Sequence, residues 1–349
     1  MESKNIFVTG AGALLGQGIL RMLQLCDFEK KIYTGDPDAR STGHWLGDHA
    51  LYVPKASDDN YISAVKKIVE KYNIDAILVG TDTELVKLAE VHDEFLENYN
   101  CKIVVSNSNV IKISNDKFLT AEFLKENNFP YPVSKMANSM EDLLALEREL
   151  GLPLFAKPID GARSLGLVKI NTHQDLVDIY DEKSNLVVQQ FLPDTEGEYT
   201  SGCIVLNGKC VSIVSLKRDL RDGNTYRTYR DESTSQYDHI ISKIAEVLKP
   251  DGPVNFQFRI LNGEPVIFEI NGRFSGTTPL RYFYGINEVE IILNYYLYGK
   301  IPVNTQLKSG VVMRAWSDLF IENEEMEKFN HDKELESPKA HFYNFNLKS

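Results

Sequence analysis

Val254-Asn255-Phe256-Gln257-Phe258-Arg259-Ile260, Leu261-Asn262-Gly263 and Glu264-Pro265-Val266-Ile267-Phe268-Glu269-Ile270-Asn271 follow one another as two β-rich runs around a glycine turn, the signature of a hairpin. Its register decides what the hairpin can do. A two-residue Asn-Gly turn sets Phe256 opposite Glu269 and mixes the faces. A three-residue loop, Leu261-Asn262-Gly263 with the glycine as a bulge, pairs Ile260 with Glu264 and Gln257 with Ile267. Phe256, Phe258, Ile260, Val266, Phe268 and Ile270 then share one apolar face, and Asn255, Gln257, Glu269 and Asn271 share the other, the register that burial prefers. One carboxylate among amide oxygens is a set of hard donors suited to Mg²⁺, which completes its octahedron with phosphate oxygens and water. The plain alternative is a polar solvent face, but Gln and Asn beside a lone Glu, followed by Gly272-Arg273, is an unusual choice for solvent.

Upstream, Lys117 opens a helix expected over 116–127, and Lys157 sits in the largely apolar strand Leu154-Phe155-Ala156-Lys157-Pro158. A lysine there must find an anion or snorkel out. Asp160-Gly161-Ala162-Arg163-Ser164-Leu165-Gly166 follows, either a plain hairpin connection or a loop whose backbone donors, serine and arginine suit a triphosphate. Further strands are expected at Leu167–Ile170 and Val187–Leu192, with a helix over 139–150. The basic stretch Lys217-Arg218-Asp219-Leu220-Arg221, with Arg227 and Arg230, is either a surface loop or a contact for acceptor or γ-phosphate.

The N-terminal 113 residues read differently. Short strands at 5–9, 31–34, 51–53, 76–79 and 103–105 alternate with helical segments at 14–23, 60–72 and 83–98, which implies a doubly wound parallel sheet. Gly10-Ala11-Gly12-Ala13-Leu14-Leu15-Gly16 joins the first strand to the first helix, and Asp36 follows the second strand where a dinucleotide fold places its ribose carboxylate. That spacing resembles short-chain dehydrogenases, whose Y-x-x-x-K pair would have to be Tyr296 and Lys300, a poor match beyond the end of one dinucleotide domain. The same turn also serves simply to pack a helix on a sheet.

Composition excludes several classes. Lys+Arg 38 against Asp+Glu 50 gives 38 − 50 = −12, so general nucleic-acid or anionic-lipid binding is disfavoured. Cys26, Cys101, Cys203 and Cys210 lie far apart without a C-x-x-C pair, arguing against a disulfide scaffold or zinc knuckle. No signal peptide and no apolar run of ~18 residues is present, so the expected location is the cytoplasm, away from membranes. Glu322, Glu324, Glu325 and Glu327 read as a solvated acidic face on a tail.

Taken together, Asn115-Asp116-Lys117, Lys157-Pro158 with the loop to Gly166, Gln190-Phe191-Leu192 with Glu198-Tyr199, and Asn255-Phe256-Gln257-Phe258 with Glu269-Ile270-Asn271-Gly272-Arg273 resemble the ATP-grasp superfamily, most closely its carbamoyl-phosphate-synthase-like branch. The resemblance covers about residues 1 to 315, since the glycine-turn domain with Thr81-Asp82-Thr83-Glu84-Leu85 is similar to a pre-ATP-grasp domain. It implies an α/β chain with a Rossmann-like pre-ATP-grasp domain (1–113) and a two-lobed α+β ATP-grasp domain. The lobes span 114–188, with the glycine loop, and 189–316, with the metal hairpin, before a tail at 317–349.

The resemblance further implies that Lys117 and Lys157 bind ATP phosphates under a loop containing Gly161, Ser164 and Gly166. Gln190 and Leu192 meet adenine largely through backbone, and Glu198 meets the ribose. Gln257, Glu269 and Asn271 hold one or two Mg²⁺ ions, with Mn²⁺ an alternative, and Arg273 joins Lys157 as a catalytic residue. Lys217, Arg218 and Arg227 are candidates for substrate contact. The implied reaction activates a carboxylate as an acyl phosphate for attack by an amine, the two substrates being small molecules and a homodimer being allowed. Gly276 stands where that branch has a second arginine, and only one ATP-grasp unit is present, so a carboxylate larger than bicarbonate, an amino acid or sugar acid, is expected. Two rivals stay open: an NAD(P)-dependent oxidoreductase or epimerase, and a non-catalytic nucleotide-binding protein.

Overall fold

The computed structural model describes residues 3–160, 166–182, 185–301, 306–315 and 317–343. The chain opens with β1 (Lys4–Val8), α1 (Leu14–Gln24), β2 (Lys30–Asp36), β3 (His49–Tyr52), α2 (Tyr61–Tyr72), β4 (Ala76–Leu78), α3 (Asp82–Glu90), α4 (His92–Tyr99) and β5 (Lys102–Val104). Strands β3-β2-β1-β4-β5 lie side by side and all parallel, the doubly wound order. The single helical segment expected over 83–98 is two helices, parted at Val91, where φ −110° and ψ 6° leave the α range.

Helices α5 (Ser108–Asn115) and α6 (Lys117–Glu126) lead into β6 (Ser134–Met136), α7 (Met140–Leu150), β7 (Leu154–Pro158), β8 (Val168–Ile170), α8 (His173–Glu182) and β9 (Leu186–Gln190). Here the strands form an antiparallel sheet ordered β6-β9-β7-β8.

A second antiparallel sheet follows, from β10 (Glu198–Leu206), β11 (Lys209–Arg221), β12 (Asn224–Arg230), α9 (Glu232–Ser235), α10 (Asp238–Leu248), β13 (Gly252–Leu261), β14 (Glu264–Asn271), α11 (Thr278–Arg281), α12 (Glu288–Tyr298) and β15 (Gly310–Met313), ordered β14-β13-β10-β11-β12-β15. Its two faces divide the labour by the period of two along each strand. Tyr199, Cys203, Phe256 and Phe258 pack on Ile241, Ile244 and Leu248 of α10. The opposite face carries Ile204 and Leu206 against Leu20 and Leu23 of α1 and Ile292 and Leu293 of α12, so this sheet and the N-terminal domain share one core. Farther along the same face stand Glu198 and Thr200, in register with Arg218 and Leu216 of β11.

The hairpin solves its register conflict by a route the sequence analysis rejected. Asn262 (φ 54°) and Gly263 (φ 82°) make a two-residue turn that pairs Leu261 with Glu264 and Phe258 with Ile267. A bulge at Phe268 then inserts one extra residue, and beyond it Gln257 faces Glu269, Phe256 faces Ile270 and Asn255 faces Asn271. Ile267 and Ile270 therefore join the core, while Val266 and Phe268 leave the apolar face assigned to them. The polar set is preserved because the bulge restores what the tight turn would have scrambled.

Residues 318–343 do not trail away as a tail. After β16 (Asp318–Phe320), α13 (Asn323–Asp332) and β17 (Glu334–Glu336), the chain ends its described part in β18 (His341–Tyr343), which pairs with β16. β17 adds antiparallel to β3 and covers that edge of the N-terminal sheet. Glu322, Glu324 and Glu327 are exposed as expected, yet Phe329 and Leu335 on the same segment are 1% and 2% exposed, packed with Trp45 and Ala50. Phe329→Ala should cost about 3–5 kcal/mol and lower the urea midpoint. An unchanged midpoint would mean the segment contributes nothing to the core.

Candidate active site

Two cavities meet between the sheets. The first is walled by Lys117, Phe155, Lys157, Leu167, Gln190, Leu192 and Phe268 and floored by Glu198, Arg218, Gln257, Arg259 and Glu269, enclosing about 200 Å³. A second, also about 200 Å³, continues from Arg218, Gln257 and Glu269 to Arg273, Ser275–Thr277, Thr200, Asn255, Gly223–Thr225 and the N-terminal domain's Leu14, Thr81 and Asp82. Glu269 thus stands on the border of both.

The lysines converge through backbone. Asp116 caps α6 by accepting from the Phe118 and Leu119 N–H groups (2.8 and 3.0 Å), and the Lys117 N–H donates to the Ile159 carbonyl (3.0 Å), tying the helix start to the end of β7. Burial pulls the Lys157 ammonium down to about 8, opposed by Glu269 and assisted by repulsion from Lys117. Burial lowers Lys117 as well, and Glu269, Asp160 and Asp116 counter it. Lys157 Nζ lies 5.9 Å from the Phe268 ring centre. Two desolvated cations side by side form a site that favours an anion.

The remaining expected contacts are partly taken up by the protein itself. The Gln190 N–H donates to the Val133 carbonyl (2.8 Å), and the Leu192 carbonyl accepts from Arg259 Nη1 (2.7 Å), so neither backbone group is open for adenine without sharing. Glu198 receives Arg218 on one oxygen (2.6 Å) and Arg259 on the other (2.9 Å). Gln257 Oε1 accepts from Arg218 (2.6 Å) while its Nε2 donates to Glu269 (3.1 Å). Asn271 mirrors it: Oδ1 accepts from Arg273 (3.0 Å) and Nδ2 donates to Glu269 (3.0 Å). Arg273 holds Asp82 through Nε and Nη2 (2.6 and 3.2 Å).

Of the three substrate candidates, only Arg218 reaches the cavities. Lys217 pairs with Tyr199 and so faces the α10 side, and Arg227 is exposed, 3.8 Å from Asp219. Neighbours in a strand point oppositely, which a basic cluster in sequence cannot reveal. Gly166 has φ 75° and a Cβ there would meet Pro158 at 2.9 Å, while Gly161 and Ser164 lie outside the described residues. Arg259 was missed although the alternation that selects Gln257 selects it too. Phe268 was missed because the bulge is invisible in sequence.

The glycine turn is closed upon itself. Gly12 N–H donates to Asp36 (2.9 Å), Ala11 N–H to the Gly35 carbonyl and Ala13 N–H to the Gly10 carbonyl (3.0 Å each). Ser41 Oγ, bonded to Asp36 at 2.6 Å, stands 2.2 Å from where a Gly12 Cβ would be. The donors and carboxylate a dinucleotide would require are consumed locally, and Tyr296 is bonded to Asp251. These contacts weigh against the oxidoreductase reading.

The parallel domain, the two antiparallel sheets and the lysine-lined cleft between them define a nucleotide-binding α/β architecture. Residues 114–241 match the profile of the RimK-like ATP-grasp domain, 182–319 that of "ATP-grasp in the biosynthetic pathway with Ter operon", and 18–104 the PylC-like N-terminal domain. The chain is therefore similar to ATP-grasp domains across residues 114–319, and carbamoyl phosphate synthase large chains are among its relatives. It is 25% identical over 303 residues to the carbamoyl phosphate synthase large chain of Caldanaerobacter subterraneus subsp. tengcongensis, covering 79% of this chain and 27% of that one. The match to the Pseudothermotoga lettingae large chain is 22% over 376 residues, covering 94% and 33%. The aligned part is therefore a quarter to a third of those relatives' length. Among solved structures, N5-carboxyaminoimidazole synthetase from Staphylococcus aureus with ADP superposes with TM-score 0.70 at 18% identity, covering 88% of this chain and 81% of that one. Biotin carboxylase from Campylobacter jejuni gives 0.72 at 17%, covering 89% and 74%.

If Lys157 holds a phosphate, the pH dependence has a definite sign. The ammonium is charged below about 8 and neutral above it, so ATP affinity should fall by up to about tenfold per pH unit above that point, with proton uptake on binding. Lys157→Arg should flatten the profile. Calorimetry giving constant wild-type affinity between roughly pH 7 and 9.5 would remove Lys157 from the phosphate site.

Proposed function

We propose that the chain is an ATP-dependent carboxylate–amine ligase that forms an acyl phosphate and releases ADP and phosphate, acting on an amino-acid or sugar-acid type substrate. The observation that carries this reading is the junction itself: a cleft bearing two desolvated lysines opens, across Arg218, Gln257 and Glu269, into a second polar cavity. In this reading ATP takes the first with its phosphates toward Lys117 and Lys157, and the carboxylate takes the second.

Gln257, Glu269 and Asn271 suit Mg²⁺ or Mn²⁺ as a donor set. Both amides lie within 3.1 Å of one Glu269 oxygen, and turning each about its soft terminal torsion brings oxygen in place of nitrogen. When bound, the metal neutralises β- and γ-phosphate charge. The protein's share is positioning: the lysines draw the phosphates, the apolar walls of Phe155, Leu167 and Phe268 take the base, and Arg273, lining the second cavity, stabilises charge that develops on the transferring group. The substrate carboxylate then attacks the γ-phosphorus, ADP leaves, and the amine displaces phosphate from the acyl group.

Phosphate release with Mg-ATP, tested across small carboxylates and ammonium, amino-acid or amino-sugar acceptors, should identify a productive pair. ADP should accumulate, ¹⁸O from the carboxylate should enter the released phosphate, and Glu269→Gln should abolish turnover. AMP carrying the label would replace the acyl phosphate with an adenylate, and label found in neither phosphate nor AMP would rule out carboxylate activation altogether.

A further inference from the structure

We propose that Asp82, on the N-terminal domain, is a positioning residue for Arg273, so that a domain supplying neither lysine nor metal donor sets the geometry of the transfer step. The inference rests on the ligase reading above. Asp82 grips the guanidinium at two points, Nε to Oδ1 at 2.6 Å and Nη2 to Oδ2 at 3.2 Å, across 191 residues of chain. A two-point contact fixes the plane of the group as well as its place. Arg273 is 11% exposed, and two of its other three N–H donors go to Asn271 Oδ1 and the Phe274 carbonyl (3.0 and 3.1 Å). Through that bond to Asn271, the same arginine turns the amide nitrogen toward Glu269. A path of direct contacts therefore runs Asp82, Arg273, Asn271, Glu269.

Asp82 is itself anchored, by the feature that resembled a dinucleotide turn. Glu84, in the same first turn of α3, is a buried carboxylate that accepts from Thr9 (2.9 Å), Tyr61 (2.8 Å) and Thr81 (2.8 Å). Three hydroxyls on one buried carboxylate leave the start of α3 little freedom. Gly10 lies against it: a Cβ there would come 2.4 Å from Thr81 Cγ2 and 2.9 Å from Glu84 Oε2. The bare glycine lets the α3 start approach the end of β1, and that approach aims Asp82 at the second cavity. An interdomain ion pair of purely structural value would have no need to end on an arginine lining that cavity.

The test compares Asp82→Ala, Asp82→Glu, Arg273→Ala and the Asp82→Ala/Arg273→Ala double variant. Each is assayed for phosphate release with the productive pair drawn from glycine, L-alanine, L-aspartate, L-glutamate or gluconate and ammonium, glycine or glucosamine. Asp82→Ala should lower kcat about 10- to 100-fold, the cost of misplacing a catalytic group by about 1 Å, with the KM for ATP and the thermal midpoint unchanged. The double variant should be no slower than Arg273→Ala, and Asp82→Glu should recover most of the loss. Multiplied losses in the double variant, a fall in the midpoint that accounts for the rate, or full activity of Asp82→Ala would each overturn the proposal. If the wild type releases phosphate with no pair, the ligase reading falls and takes this with it. An active wild type with an indifferent Asp82→Ala removes this inference alone.

Discussion

Glu269 is the charge on which the site depends. Lys117 and Lys157 are both taken out of water, which favours their neutral forms, and Glu269 is the strongest charge opposing that for each. A carboxylate at the border of two cavities thus opposes the loss of charge that burial favours in both lysines. Its position follows from one backbone irregularity, the bulge at Phe268, which sets Glu269 across from Gln257. A one-residue slip would have moved this carboxylate to the other face of the sheet.

Around that charge the polar groups are paired in a graded way. Arg218 and Arg273 each divide between a carboxylate (Glu198 and Asp82) and an amide oxygen (Gln257 and Asn271). Both amides in turn give their nitrogens to Glu269. Buried polar groups in such a chain are satisfied without any ligand, which spares the folded protein the cost of orphaned donors and acceptors.

The N-terminal domain takes a different part from the one its motif suggests. Gly10-x-Gly12 at the end of β1 is the arrangement that elsewhere receives a pyrophosphate, but Asp36, Gly35 and Gly10 itself accept its N–H groups. What the glycines provide is close packing: α3 approaches through Gly10, and Gly43 and Gly80 lie equally tight against neighbouring backbone. The core shared by α1, α12 and β10 packs this domain against the hairpin sheet, with β17 closing the outer edge.

The sequence by itself determined the parallel domain, the strand-rich block and the polar character of the hairpin, because periodicity and turn residues are local properties. It also picked out Lys117, Lys157, Gln257, Glu269 and Arg273, which line two adjoining cavities, and Asn271, which is bonded to Glu269 and Arg273. Tertiary structure alone decided the rest. The bulge that moved Phe268 into the cleft costs nothing visible in composition. Lys217 and Arg227 stand outside the linings of both cavities because orientation across a sheet depends on register with strands far off in sequence. Glu198 was found bound between Arg218 and Arg259, and Asp82 beneath Arg273, since ion pairs spanning 61 and 191 residues have no local signature. The segment after 317 joined the core for the same reason: two apolar side chains in an acidic stretch become meaningful only when an open sheet edge is there to receive them.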